Sequence, residues 1–198
     1  MTRGSPLSTE RRGAGGEGAG PVRAFLALSF DEPMRERLAE ALQRLRREVT
    51  GVRWLSPETI HLTLRFLGPS TPEALERLSV AVEPAARACP PCEARVEGVG
   101  FLPPHGPPHV IWAGLVLPAP VLELQAACER AAVLSGFPRE DRPFRPHVTL
   151  GRWRSRVRRP AAPALDLGAT ALGPVVLYKS DLRPEGALHT ALRSFPLG

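Results

Sequence analysis

An α+β fold built from two similar halves is predicted by three observations. Short apolar runs of strand length alternate with longer amphipathic stretches of helical spacing; the order strand, helix, loop, strand occurs twice; and each occurrence ends in a strand that opens on the pattern His-x-Thr-Leu, at His61 and at His147. Similarity between the halves is otherwise low, so the duplication rests on element order and on these two motifs.

Val22 to Phe30 is an apolar run short enough for a buried strand, and Asp31 then caps a helix on which Met34, Leu38, Leu42, Leu45 and Val49 recur at three- and four-residue intervals. One stripe of that helix faces a core. Ile60 to Leu67 is the next strand, entered from a loop with Pro57 and expected to stop at Gly68-Pro69. A second helix runs from Thr71 to about Ala88, with Thr71 as N-cap and Pro72 in the first turn, where its missing N–H costs little. Strands at Glu93 to Phe101 and Val110 to Leu117 flank a proline-rich loop. Ala119 to Gly136 is a third helix on the spacing of Val121, Leu124, Ala127, Cys128 and Ala131. Val148 to Trp153, Val175 to Leu182 and Leu188 to Phe195 supply further strands.

The ordered domain is expected to span residues 21–198. Residues 1–20, rich in Gly, Ser, Arg and Glu, lack the apolar centre of a signal peptide and read as a disordered tail. A chain of 198 residues with 43% apolar content is long enough for one good core. The formal charge of +6 comes from arginine, since Lys179 is the only lysine, and it attracts phosphate-bearing partners at long range. Base composition of the genome accounts for an arginine, proline and glycine bias equally well, so charge alone does not establish a partner. Three cysteines, Cys89, Cys92 and Cys128, give no disulfide framework and fit a reducing cytoplasm. No apolar run approaches the roughly 20 residues that span a bilayer. The expected protein is a cytoplasmic monomer with no membrane partner.

In each motif the histidine shares a strand face with the threonine two residues on, while Leu62, Leu64, Val148 and Leu150 point to a core. Related halves would bring the two pairs to one cleft. In-line displacement at phosphorus has an attacking oxygen on one side and a leaving oxygen on the other, so it needs two facing groups that handle protons. Histidine holds either charge state near neutrality. The threonine hydroxyls can donate to the non-bridging oxygens, where charge builds in the transition state. A single H-x-T is usually an ordinary polar pair at a strand end; two copies in matching positions carry the argument.

Arg53-Trp54, His61 to Gly68, Phe144 to Arg152 and the ending Phe195-Pro196-Leu197 resemble the RNA 2′,3′-cyclic phosphodiesterases, also called bacterial and archaeal 2′-5′ RNA ligases, of the two-histidine (2H) phosphoesterase superfamily. Arg23 to Leu28, Val99 to Pro103 and Val110 to Gly114 match as well. The resemblance covers about Pro21 to Gly198. It implies a bilobal α+β fold with two antiparallel sheets around a basic cleft and helices outside. It also implies a hydrolase of RNA processing that opens 2′,3′-cyclic phosphate ends to 2′-phosphates without metal or cofactor. His61 and His147 become the catalytic pair, His61 as proton donor to the leaving oxygen and His147 as the base that activates water. Thr63 and Thr149 become phosphate donors, and Arg152 matches the arginine that follows the second motif. Arg65, Arg145 and Trp153 complete the expected substrate-binding set. Where the family has Glu-Ser and Tyr near the C-terminus, this chain has Lys179-Ser180 and His189, which leaves the substrate rim open.

Two other features compete for attention. Cys89, Cys92, His105 and His109 have the spacing of a zinc finger, but Leu102 to His109 holds four prolines and a glycine and cannot form the helix a finger needs. Arg152, Arg154, Arg156, Arg158 and Arg159 surround Trp153 directly after the second motif; such a run is commonly a solvated loop, and its position suggests RNA backbone contact, with Trp153 stacking on a base if exposed. Beside hydrolysis stand two alternatives: 2′-5′ ligation of tRNA halves, the same chemistry with a ribose hydroxyl in place of water, and an RNA-end-binding module without catalysis. Two intact H-x-T pairs argue against the last.

Overall fold

The computed structural model describes residues 20–184 and 186–198. The tail expected at residues 1–20 lies outside the described residues except for Gly20. Eight strands and three α-helices follow the order β1 (Val22–Phe30), α1 (Glu32–Glu48), β2 (Val52–Trp54), β3 (Leu62–Ser70), α2 (Pro72–Ala88), β4 (Glu93–Leu102), β5 (Val110–Val116), α3 (Ala119–Leu134), β6 (His147–Trp153), β7 (Asp166–Arg183) and β8 (Gly186–Phe195), with a 3₁₀ turn at Pro57–Thr59 between β2 and β3.

All strand pairs are antiparallel, in the path β2-β6-β5-β4-β7-β1-β3, with β8 on the other side of β7. The two expected sheets are present, and one strand belongs to both. The first part of β7, Asp166 to Ala171, pairs with β4; from Leu172 onward it pairs with β1 and then β8. Gly173 and Pro174 mark the crossing. A side chain at Gly173 would meet the Ser29 hydroxyl at 2.4 Å, so the close approach of β1 and β7 there requires glycine.

The helices are held as their sequences dictate. Asp31 Oδ1 accepts the Met34 N–H at 2.9 Å, a cap worth about 1 kcal/mol. The same carboxylate accepts from the Thr170 hydroxyl and the Ala171 N–H, tying α1 to β7. Met34, Leu38, Leu42 and Leu45 are buried to 1% exposure or less, each contributing on the order of 2 kcal/mol. Thr71 Oγ1 accepts the Ala74 N–H at the start of α2.

Four departures from the expected elements bear on the sheets or on the site. Gly68 does not end β3: its φ of 70° is accommodated in the strand, which continues through Pro69 to Ser70. β3 pairs only with β1 and forms the end of the path, the position in a sheet at which proline is tolerated. β2, at three residues, is too short for its sequence to show a period. β7 begins nine residues before the expected Val175, because Gly168, Gly173 and Pro174 read as loop. Finally, β3 begins one residue after His61, whereas β6 begins at His147 itself.

Candidate active site

Both histidines are oriented by the backbone two residues upstream. His61 Nδ1 lies 2.8 Å from the Thr59 carbonyl oxygen and His147 Nδ1 lies 2.7 Å from that of Arg145. A carbonyl oxygen only accepts, so Nδ1 carries the hydrogen and donates in each case, leaving Nε2 as the free nitrogen. The 3₁₀ turn ending at Thr59 supplies one carbonyl. The loop at Arg145-Pro146 before β6 supplies the other, the proline disfavouring a helical conformation at Arg145.

The two motifs also share a β-bulge. In β3 the step from Thr63 to Arg65 faces the single step from Ala27 to Leu26 of β1; in β6 the step from Thr149 to Gly151 faces that from Trp112 to Ile111 of β5. Leu64 and Leu150 are the extra residues, and both are buried. Each bulge shifts the alternation by one. Phe66 and Arg152, rather than Arg65 and Gly151, therefore return to the face of the histidine and threonine. The strands β3 and β6 stand near opposite ends of the sheet path, yet their Cα atoms come within 8 Å. The path thus curls so that the strands carrying the two H-x-T pairs approach one another.

These phase shifts correct two expected substrate contacts. Arg65 is buried, its guanidinium joined to Glu129 of α3 and to the carbonyls of Phe66 and Pro138. It ties β3 to α3 and is withdrawn from the substrate-binding set. Trp153 is likewise buried, its indole N–H donating to Thr50 O at 3.1 Å and its ring 5.8 Å from that of Phe101, so no base can stack on it. Arg145 and Arg152 are exposed and make no ion pair among the described residues. Arg152 shares the face of His147 and Thr149. In the following segment, Arg159 is pinned to the Gly106 and Pro103 carbonyls and lies 5.4 Å over the Phe101 ring, while Arg154, Arg156 and Arg158 are exposed. The Pro-rich loop between β4 and β5, with His105 and His109, is not helical.

Aromatic side chains on neighbouring strands enclose the histidines. The His61 ring stacks on Phe25 at 4.8 Å, Phe25 in turn stacks on Tyr178 at 5.2 Å, and His189 stands edge-on to His61 at 5.4 Å. Trp112 stands edge-on to His147 at 5.9 Å and lies across Gly100, where any Cβ would collide with the indole. Burial holds the His61 pKa well below its ordinary value, at about 4; the bond to Thr59 O opposes the shift and the charge of His189 adds to it. His189 is also lowered by burial, and the Tyr178 phenol is raised by it. Phe25, Trp112 and Tyr178 went unrecognised because each meets a histidine only through strand pairing. His189 could be singled out in the sequence as a departure near the C-terminus, but not as a neighbour of His61.

Comparison with known proteins gives one answer. Residues 28–112 match the pattern described as LigT-like phosphoesterase. The chain is 30% identical to a protein of Methanothermobacter thermautotrophicus named RNA 2′,3′-cyclic phosphodiesterase, over 89% of this chain and 99% of that one. It is 33% identical to a protein of the same name from Thermus thermophilus, over 89% and 90%. Among solved structures, TT0787 of Thermus thermophilus superposes with a TM-score of 0.79 at 31% identity, covering 88% of this chain and 97% of that one. Escherichia coli LigT complexed with 3′-AMP shares the fold, with a TM-score of 0.75 at 24% identity over 89% and 98%.

Proposed function

This chain belongs to the LigT-like phosphoesterase family, and from that premise we propose that it hydrolyses the terminal 2′,3′-cyclic phosphate of RNA with His61 and His147 as its proton-handling pair. The observation that carries the reading is the matched arrangement of the two histidines. Each has Nδ1 anchored to a carbonyl two residues back, Nε2 free, and a threonine on the same strand face.

The cyclic phosphate lies between the two H-x-T pairs, with the Thr63 and Thr149 hydroxyls donating to its non-bridging oxygens. His147 Nε2 takes a proton from water, whose oxygen bonds to phosphorus. The bond from phosphorus to the 3′-oxygen breaks, and that oxygen receives a proton from His61 Nε2. The product is a 2′-phosphate beside a free 3′-hydroxyl, and the two histidines have exchanged charge states. Arg152, on the His147 face, adds a fixed positive charge for the phosphate. No step of this scheme calls for a metal or cofactor.

The test is incubation with RNA carrying a defined 2′,3′-cyclic phosphate, in the presence of EDTA, followed by identification of the product. A 2′-phosphate is expected. A 3′-phosphate would reverse the substrate orientation, and an unchanged end would sink the reading. A 2′-5′ joined product when a 5′-hydroxyl RNA is supplied would establish ligation instead.

A further inference from the structure

The face that carries His61 also carries a third histidine to which two-histidine chemistry gives no task. His189 lies in β8 opposite Ser180 of β7, two residues beyond Tyr178, and so projects on the side of Tyr178 and Phe25. Its ring stands edge-on to Phe25 at 4.9 Å and 81°, and to His61 at 5.4 Å and 83°, while Phe25, His61 and Tyr178 lie within 26° of parallel with one another. Its Nδ1 is buried and finds no hydrogen-bond partner among the described residues. With Ser29, Arg35, Glu58, His61 and Tyr178 it lines a cavity of about 90 Å³.

We propose that His189 is a positioning residue for His61: its ring edge fixes the plane in which the catalytic imidazole presents Nε2, and its charge competes with that of His61, so that the two rings hold at most one positive charge between them. This rests on the reading of His61 as a catalytic group. Two imidazolium charges 5.4 Å apart repel where water enters poorly, so the rings titrate as a pair. The other groups facing them do not cancel this. From α1 comes Arg35, itself paired with Glu32 at 2.8 Å; from the 3₁₀ turn, Glu58; from β7, the Tyr178 phenol. Lys179 and Asp181 of β7 alternate onto the opposite face, where they pair at 3.1 Å, and Arg193 of β8 is engaged by Glu76. Burial lowers the pKa of both rings, so each neutral form is favoured until an anion arrives between the motifs.

Two variants separate the parts of the proposal. His189→Phe keeps an aromatic edge and removes the titrating nitrogens; His189→Ala removes both. Titration of the His61 imidazole by NMR in the free protein reads the charge coupling without reference to any reaction, and kcat on cyclic-phosphate RNA reads the positioning. In both variants the His61 midpoint should rise by about one pH unit, and kcat in His189→Ala should lie about tenfold or more below that in His189→Phe. An unmoved His61 midpoint in His189→Phe overturns the charge coupling. Equal kcat in the two variants overturns the positioning role. Should the wild-type protein leave cyclic phosphate intact while the midpoint still moves, the functional reading falls and the coupling between the rings stands.

Discussion

The imidazole of His61 lies against the phenyl ring of Phe25, centroids 4.8 Å apart and planes 24° from parallel. One face of the ring is thereby closed to water, and its pKa of about 4 leaves it neutral at physiological pH. A proton donor needs the opposite charge, and a bound phosphate anion supplies the field that favours it. The free enzyme and the complex should therefore titrate differently. The profile of kcat/KM, which reports free enzyme, should bend near pH 4. The corresponding bend in kcat, which reports the complex, should lie at higher pH. A bend at the same pH in both would show that the bound phosphate leaves the His61 imidazole unshifted.

Replacing either histidine removes one proton transfer while leaving the strands intact. His61→Ala and His147→Ala should each lower opening of the cyclic phosphate by at least about 100-fold, with unchanged circular dichroism. A substrate with a much better leaving group at the 3′-position should rescue His61→Ala and leave His147→Ala slow. Turnover near the wild-type rate in either variant would end the two-histidine mechanism.

Arg65 and Arg152 follow their motifs at nearly the same distance and should behave in opposite ways. Arg65→Met strands Glu129 in a largely enclosed position, which costs about 3 kcal/mol, so the urea midpoint should fall markedly. Arg152→Ala alters an exposed side chain and should leave that midpoint within about 0.5 kcal/mol while raising KM or lowering kcat. Equal stability losses in the two variants would contradict the phase shift at the bulges.

The exposed arginines after β6 offer a test of RNA engagement. Replacing Arg154, Arg156 and Arg158 by alanine should raise KM for an oligonucleotide and flatten its dependence on salt, each lost phosphate contact reducing the logarithmic slope by about 0.7. A mononucleotide 2′,3′-cyclic phosphate should be turned over as before. An unchanged slope with the oligonucleotide would show that the loop is solvated and idle.

Local signals made much of this molecule legible. Asp31 and Thr71 announce helix starts because capping is a matter of three or four adjacent residues, and the alternation around His61 and His147 places each threonine beside its histidine. What stayed hidden depends on partners distant in the chain. A bulge is defined by the neighbouring strand, so nothing within His61 to Phe66 reveals that Arg65 turns inward and Phe66 outward. The burial of Trp153 has the same origin. His189 reaches His61 only because β8 pairs with β7 and β7 with β1, a relationship that no spacing encodes.

The sharing of β7 between the two sheets bears on how the protein comes apart. All three tryptophans, Trp54, Trp112 and Trp153, lie on the β4 side of that strand, and the single tyrosine, Tyr178, belongs to the part of β7 that pairs with β1. Fluorescence of the indoles and absorbance of the phenol therefore report separate sheets. Because β7 runs unbroken through both, neither half can lose its ladder without freeing an edge of the other, and denaturation should be a single cooperative event. Indole and phenol signals should trace the same transition, and two separated midpoints would mean that the halves melt independently.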